Sequence, residues 1–264
     1  MCLILIAWHA HPRYPVVIAA NRDEFFARPT EAARFWEDAP EILAGRDLTA
    51  GGTWMGVTRH GRFAALTNYR EPEHKRADAP SRGALVKDFL AGTLPAEDYL
   101  ASLNGKTDAY NGFNLICGTF DDGLWHLCNR EVSIAKGNKG AMRLPPGIFG
   151  LSNHLLDTPW PKVAQGKSDL AAAIKALPSD RPLFELLRDD RIHEDERLPR
   201  TGISLDWERI LSAAFVRAPN YGTRSSTVLL QDTRGGIIFD ERAYLPDGAA
   251  ASRNRFRLEG RASS

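Results

Sequence analysis

Residues 2–20 open with Cys2-Leu3-Ile4-Leu5-Ile6-Ala7-Trp8, break at His9-Ala10-His11-Pro12-Arg13-Tyr14, and resume with Pro15-Val16-Val17-Ile18-Ala19-Ala20. Both apolar runs are short and rich in branched residues, and the break between them carries a proline. They therefore predict two adjacent β-strands over residues 2–8 and 15–20. Working outward, residues 53–59 and 62–68 predict a hairpin turned by His60-Gly61, since a two-residue loop ending in glycine suits a tight reversal. Residues 113–119 and 124–128 flank Asp121-Asp122-Gly123 as a second hairpin, with residues 132–136 as a candidate neighbour. Residues 148–152, 223–231 and 236–240 complete the expected strands.

Helical spacing falls between these runs. In residues 81–90 the side chains of Leu85, Val86, Phe89 and Leu90 share one face, and Gly92 can end the helix. A second helix starts near Pro95, with Glu97 and Asp98 in the turn where the dipole favours anions, and Tyr99, Leu100 and Leu103 to one side. Residues 161–177, stopped by Pro178, then 182–188 and 206–215 are further helices, and the polar stretch 193–204 is a surface loop. Strands come in clusters and helices in pairs, so an α+β fold of layered antiparallel sheets covered by helices is expected rather than a βαβ alternation.

Length and composition narrow the function. A chain of 264 residues, 43% hydrophobic and 25% charged, suits one large globular domain, expected over residues 1–245. Residues 246–264, with Arg253, Arg255, Arg257 and Arg261, are expected to form a flexible basic tail. A net charge of +1 supplies no field for nucleic acid or an anionic membrane. Three cysteines, Cys2, Cys117 and Cys128, are too few for a disulfide framework, so a reducing, cytoplasmic location is expected. The opening apolar run is too short to span a bilayer and no basic residue precedes it, which argues against integral membrane association and a secretory signal. Seven histidines show neither His-Glu-x-x-His nor paired-cysteine spacing, so no metal site is expected.

The chemistry centres on Cys2. Removal of Met1 would leave a thiol and an α-amine on one residue, with ordinary pKa values of about 8.5 and about 7.7–8.0, a nucleophile beside its own base. Retention of Met1 would acylate that amine and favour binding over catalysis. The polar run Asn21-Arg22-Asp23-Glu24 ends the second strand beside Cys2. There Arg22 would favour the thiolate, and a carboxylate would hold the terminal ammonium. Neighbours on a regular strand face opposite ways, so only one of Arg22 and Asp23 would turn toward Cys2 unless the strand bulges. Asn21 with Asp23 is the alternative inward pair.

Cys2, Asn21-Arg22-Asp23-Glu24 and Gly51-Gly52-Thr53-Trp54-Met55-Gly56, in that order, resemble the NRDE family, which includes the transport and Golgi organisation proteins. The likeness runs from Cys2 to about Tyr244. The family is similar to the N-terminal nucleophile hydrolases, which implies a four-layer αββα sandwich and an activity like that of the penicillin V acylases and choloylglycine hydrolases. The resemblance implies Cys2 as nucleophile with Arg22 and Asp23 beside it, and Asn68 and Asn153 as oxyanion donors. Arg224, in Gly222-Thr223-Arg224-Ser225-Ser226, would be the late arginine of the pattern. Such a donor is typically worth about 10²–10³ in rate. Asn21, Trp54, Tyr69 and His154 are further candidate ligand contacts, although core packing is the default for tryptophan. The expected reaction is hydrolysis of a small-molecule amide or other acyl bond, with no cofactor required. The alternative, also implied by the resemblance, is a carrier in haem trafficking or lipid-related metabolism, with haem as cargo.

Overall fold

The computed structural model describes residues 2–130 and 141–260; the candidate strand at 132–136, Met1 and Arg261 lie outside the described residues. In chain order the strands are β1 (Cys2–Trp8), β2 (Val16–Phe25), β3 (Thr30–Phe35), β4 (Ile42–Asp47), β5 (Met55–Thr58), β6 (Arg62–Asn68), β7 (Phe113–Thr119), β8 (Gly123–Cys128), β9 (Ala141–Arg143), β10 (Gly147–Leu151), β11 (Tyr221–Gln231), β12 (Ile237–Tyr244) and β13 (Ala250–Leu258). The helices are α1 (Gly83–Ala91), α2 (Ala96–Ser102), α3 (Pro161–Ala173), α4 (Arg181–Leu187) and α5 (Leu205–Ile210). The protein is α+β, with two antiparallel sheets and helices packed on each, the layers from which an αββα sandwich is composed.

The region expected as one domain divides into two compact units. The first comprises Met1–Ala27, Pro146–Ser152 and Leu156–Ser264, and its sheet runs β10-β1-β2-β11-β12-β13. One face of this sheet buries Leu3, Leu5, Val17, Ala19, Val228 and Leu230 against Val163 and Leu170 of α3 and Leu183, Phe184 and Leu187 of α4. Each such leucine, valine or phenylalanine side chain stabilises by roughly 1.5–3 kcal/mol. Gly166 lets α3 approach closely, since a Cβ there would stand 2.9 Å from Leu5. The second unit, Arg28–Pro145 with Asn153–Leu155, holds the sheet β3-β4-β5-β6-β7-β8-β9. Leu85, Val86, Phe89 and Leu90 of α1 and Tyr99 and Leu100 of α2 cover Ala64, Leu66, Leu115 and Leu127. The Gly51-to-Gly56 motif belongs to this packing, because a Cβ on Gly52 would stand 2.5 Å from the main chain of Gly83 at the start of α1.

Four boundaries correct the sequence expectations. The tail is not free: β13 pairs with β12 from Ile237↔Leu258 to Tyr244↔Ala250. Arg253 and Arg255 bond the buried Asp240 carboxylate at 2.6 and 2.7 Å, contacts that no local pattern of charge announces. The strands β3 and β4 were not anticipated, their alternation being blurred by charges and Gly45. The expected helix over 206–215 ends at Ile210. Just beyond, the Ala214 carbonyl accepts from Asn21 and the Phe215 N–H donates to Asp189, so neither can continue a helical ladder. The fourth correction, the length of β2, bears on the site.

Candidate functional site

β2 does not end at Ala20 but continues through Asn21, Arg22, Asp23 and Glu24 to Phe25. Four polar residues persist in a central strand because both neighbours pair with it and because their side chains find partners there. The register sets Cys2 opposite Arg22 and Leu3 opposite Asn21 on one side, and Ser225 opposite Arg22 and Ser226 opposite Asn21 on the other. Directly opposed residues share a face. Asn21, Asp23 and Ser226 therefore lie on the helix-covered face with Leu3, whereas Cys2, Arg22 and Ser225 form a row on the opposite face. Of the alternatives left open by the sequence, the pair Asn21 and Asp23 does not face Cys2; Arg22 does. The bulge lies in β11 instead of β2, where the register shifts between Thr223 and Ser225 and leaves Arg224 as the extra residue.

On the helix face the polar groups are tied down. Asn21 Nδ2 donates to the main-chain oxygens of Leu187 and Ala214, both at 2.8 Å, and its Oδ1 accepts from Ser226 Oγ at 2.6 Å. Both amide hydrogens are thus committed, which makes Asn21 a clamp between strand and helix layer and corrects its assignment as a ligand contact. Asp23 is 1% exposed; its Oδ1 accepts from Thr223 Oγ1 at 2.7 Å, and its main-chain oxygen accepts from Tyr221 Oη at 2.9 Å. Burial raises the Asp23 carboxyl above its ordinary value, opposed by the buried Lys162 ammonium of α3, by the Thr223 hydrogen bond and by Arg22.

On the opposite face Cys2 is half-buried, and its main-chain oxygen accepts from Ser152 Oγ at 3.2 Å. Burial pushes its thiol up and the Asp23 carboxylate adds to this, while the Arg22 guanidinium and a hydrogen bond from the Asp23 main-chain N–H pull it down. The net rise keeps the resting sulfur protonated near neutral pH, so attack requires a base. Arg224, half-buried, donates from Nη1 to the Phe25 main-chain oxygen at 3.0 Å and lies 5.8 Å from the Phe26 ring. Burial and the charge of Arg22 both weaken its hold on its proton.

The remaining predicted residues sit in the second unit. Asn153 is fully buried; its Nδ2 donates to the Asn68 main-chain oxygen at 2.9 Å, and its own oxygen accepts from the Arg70 N–H at 2.8 Å. His154 stacks on Tyr69 with centroids 4.9 Å apart, and burial holds its imidazole below the usual range and neutral. Beneath them, Asn114 Nδ2 donates to the His154 main-chain oxygen at 2.9 Å and to Thr67 Oγ1 at 3.2 Å. Its Oδ1 then accepts from His126 Nε2 at 3.0 Å, which places the imidazole proton on Nε2. Trp54 covers Gly45, where a Cβ would stand 2.2 Å from its ring, so its role visible here is packing.

Sequence reading missed Thr223, Ser225, Ser226 and Lys162, and in the second unit Asn114 and His126. The one usable signal was the cluster of hydroxyl residues after Gly222, Thr223, Ser225, Ser226 and Thr227, which puts polar side chains on both faces of a strand. Among the described residues no group of three or more His, Cys, Asp or Glu side chains is placed to hold a metal ion, and no helix is long and apolar enough to cross a membrane.

A family model described as Transport and Golgi organisation 2 matches residues 1–246. The Bos taurus Transport and Golgi organization protein 2 homolog is 37% identical over 283 residues, covering 98% of this chain and 100% of that protein. The Homo sapiens homolog is also 37% identical, over 265 residues, covering 93% and 94% respectively. Among solved structures, the Caenorhabditis elegans N-acylethanolamine-hydrolyzing acid amidase ortholog matches 87% of this chain and 92% of its own at 10% identity and a TM-score of 0.49. With the family model spanning nearly all of the sequence and the identity to the bovine relative running end to end, the chain belongs to the Transport and Golgi organisation 2 family.

Proposed function

We propose that this protein hydrolyses an amide or related acyl bond of a small molecule, with Cys2 as nucleophile after removal of Met1. The observation that carries the proposal is the row on the face of β1 and β2 opposite the helices, in which Cys2 stands directly opposite buried Arg22 and receives the Asp23 main-chain N–H at its sulfur. The resting thiol is protonated, so the freed α-amine acts as base and takes the thiol proton as the sulfur attacks the acyl carbon. The S–C bond forms, the C–N bond breaks, and the proton passes to the leaving amine. Water then attacks the thioester, releasing the carboxylic acid and restoring the thiol. Arg22 favours the thiolate during attack.

Intact-mass spectrometry with 4-nitrophenyl hexanoate tests this. The wild-type protein should lack Met1 and gain one hexanoyl group per chain, and Cys2→Ala should gain none while melting at an unchanged temperature. Retained Met1 with an unacylated thiol would overturn the proposal. In that case a saturable Soret change on haem titration would instead favour the carrier function that the family resemblance implies.

A further inference from the structure

Deeper in the same row stands a residue that neither the nucleophile nor its base uses. Ser225 is 6% exposed, and its Oγ has no hydrogen-bond partner among the described residues. Leaving a buried hydroxyl without a partner is costly, and such groups persist where a ligand supplies the missing contact. The register gives the direction: Cys2 opposes Arg22 and Arg22 opposes Ser225 across three adjacent strands. Two strand spacings, about 9–10 Å, therefore separate the Cys2 and Ser225 main chains, with the Arg22 guanidinium in the strand between.

The bulge brings a second cation to the same place. Because the register shifts at Arg224, both Arg224 and Ser225 stand against Arg22, and the two guanidiniums act on one another. Glu24, also acting on Arg224, is the carboxylate of this neighbourhood; its Oε1 accepts from the Phe25 N–H at 2.9 Å. Asp23 also acts on Arg22, but it lies on the other face, where Thr223 donates to it and the Lys162 ammonium offsets its charge. On the Cys2 face itself two guanidiniums and a hydroxyl stand with one carboxylate, a group of donors suited to an anionic oxygen cluster.

We propose that Ser225, with Arg22 and Arg224, forms an anion subsite that selects acyl substrates carrying a carboxylate or phosphate several bonds from the scissile carbonyl. The inference rests on the Cys2 reading for its reaction, but its binding half stands without it. A chain of about four methylenes spans the row, which makes adipoyl the matching probe and hexanoyl its uncharged counterpart.

The test has two arms. In the first, thermal melting is followed with adipate, inorganic phosphate and hexanoate at equal ionic strength. Adipate should raise the wild-type melting temperature and hexanoate should not, while phosphate, if it also raises it, assigns the subsite to oxyanions in general. Ser225→Ala should lose the adipate response, and Ser225→Thr, which keeps a hydroxyl, should retain it. Without any ligand Ser225→Ala should melt no lower than wild type, since it removes a buried group that has no partner, a result that a structural role for Ser225 would reverse. In the second arm, Cys2 acylation by mono-4-nitrophenyl adipate and by 4-nitrophenyl hexanoate is compared by intact mass. Each reaction forms an S–C bond, expels 4-nitrophenolate and releases the thiol proton to solvent. The adipoyl-to-hexanoyl rate ratio should fall about tenfold in Ser225→Ala, as expected for loss of a hydrogen bond to a charged group. An adipate response without acylation would sink the cysteine chemistry and leave the subsite standing. Equal responses to adipate and hexanoate, or an unchanged ratio in Ser225→Ala, would overturn the subsite.

Discussion

The two faces of β2 at residues 21–24 carry the same kinds of polar side chain and use them in opposite ways. On the helix face, Asn21 gives both amide hydrogens to main-chain oxygens and accepts from Ser226, and Asp23 accepts from Thr223. On the other face, Arg22 stands between the Cys2 thiol and the Ser225 hydroxyl, which has no partner among the described residues. The contrast teaches that burial alone does not mark a functional residue. A buried polar group whose hydrogen bonds all close within the protein stabilises the fold, and one whose bonds stay open is available to a ligand.

The comparison breaks if substitutions on the two faces produce the same phenotype. The largest stability effect belongs to Asn21→Leu, which leaves two main-chain carbonyls and the Ser226 hydroxyl without their partner. At about 1–3 kcal/mol per orphaned group, the three together should cost roughly 3–9 kcal/mol in urea unfolding, and a loss below about 1 kcal/mol would deny Asn21 its clamping role. Thr223→Val is milder. Removing the hydroxyl that donates to Asp23 should cost about 1–2 kcal/mol, with correct folding checked by near-ultraviolet circular dichroism.

A pH series sharpens the contrast further. Asp23 is raised above its ordinary value of 3.8 by burial, so the folded state holds this proton more tightly than the unfolded chain does. Its contribution to stability is therefore fully present below the unfolded pKa and declines as pH rises through the raised folded value. Asp23→Asn cannot titrate. Wild-type stability relative to this variant should fall as pH rises above the ordinary carboxyl value of about 4, measured as the difference in urea midpoints, whereas a difference independent of pH would mean that Asp23 ionises normally. Substitutions on the Cys2 face, by contrast, should change acylation and anion response with little change in melting temperature.

Much of the secondary structure was legible in the sequence, for reasons that can be named residue by residue. The run from Cys2 to Trp8 is apolar on both faces because both are buried, and Gly61, at φ +74°, turns the first hairpin where a two-residue loop was expected. The pairing of Cys2 with the Asn21-to-Glu24 motif was also readable, since consecutive strands joined by a short break tend to pair. The end of β2 was misjudged because polarity was read as exposure, when the partners that absorb it, Leu187, Ala214, Thr223 and Ser226, lie 166 to 205 residues further along the chain. The tail was misjudged for the same reason, Arg253 and Arg255 being held by Asp240 and Asp180.

By itself the sequence determined that this chain forms helix-covered antiparallel sheets, that a cysteine begins the first strand, and that a polar motif ends its neighbour. Those properties follow from local periodicity and turn chemistry, which act over a few residues. Only the tertiary structure decided which side of the sheet each motif residue faces and that Arg224 and Ser225 join the row begun by Cys2. Side-chain direction alternates along a strand, and one extra residue in β11 realigns everything before it, so the outcome depends on cross-strand register between segments some 200 residues apart.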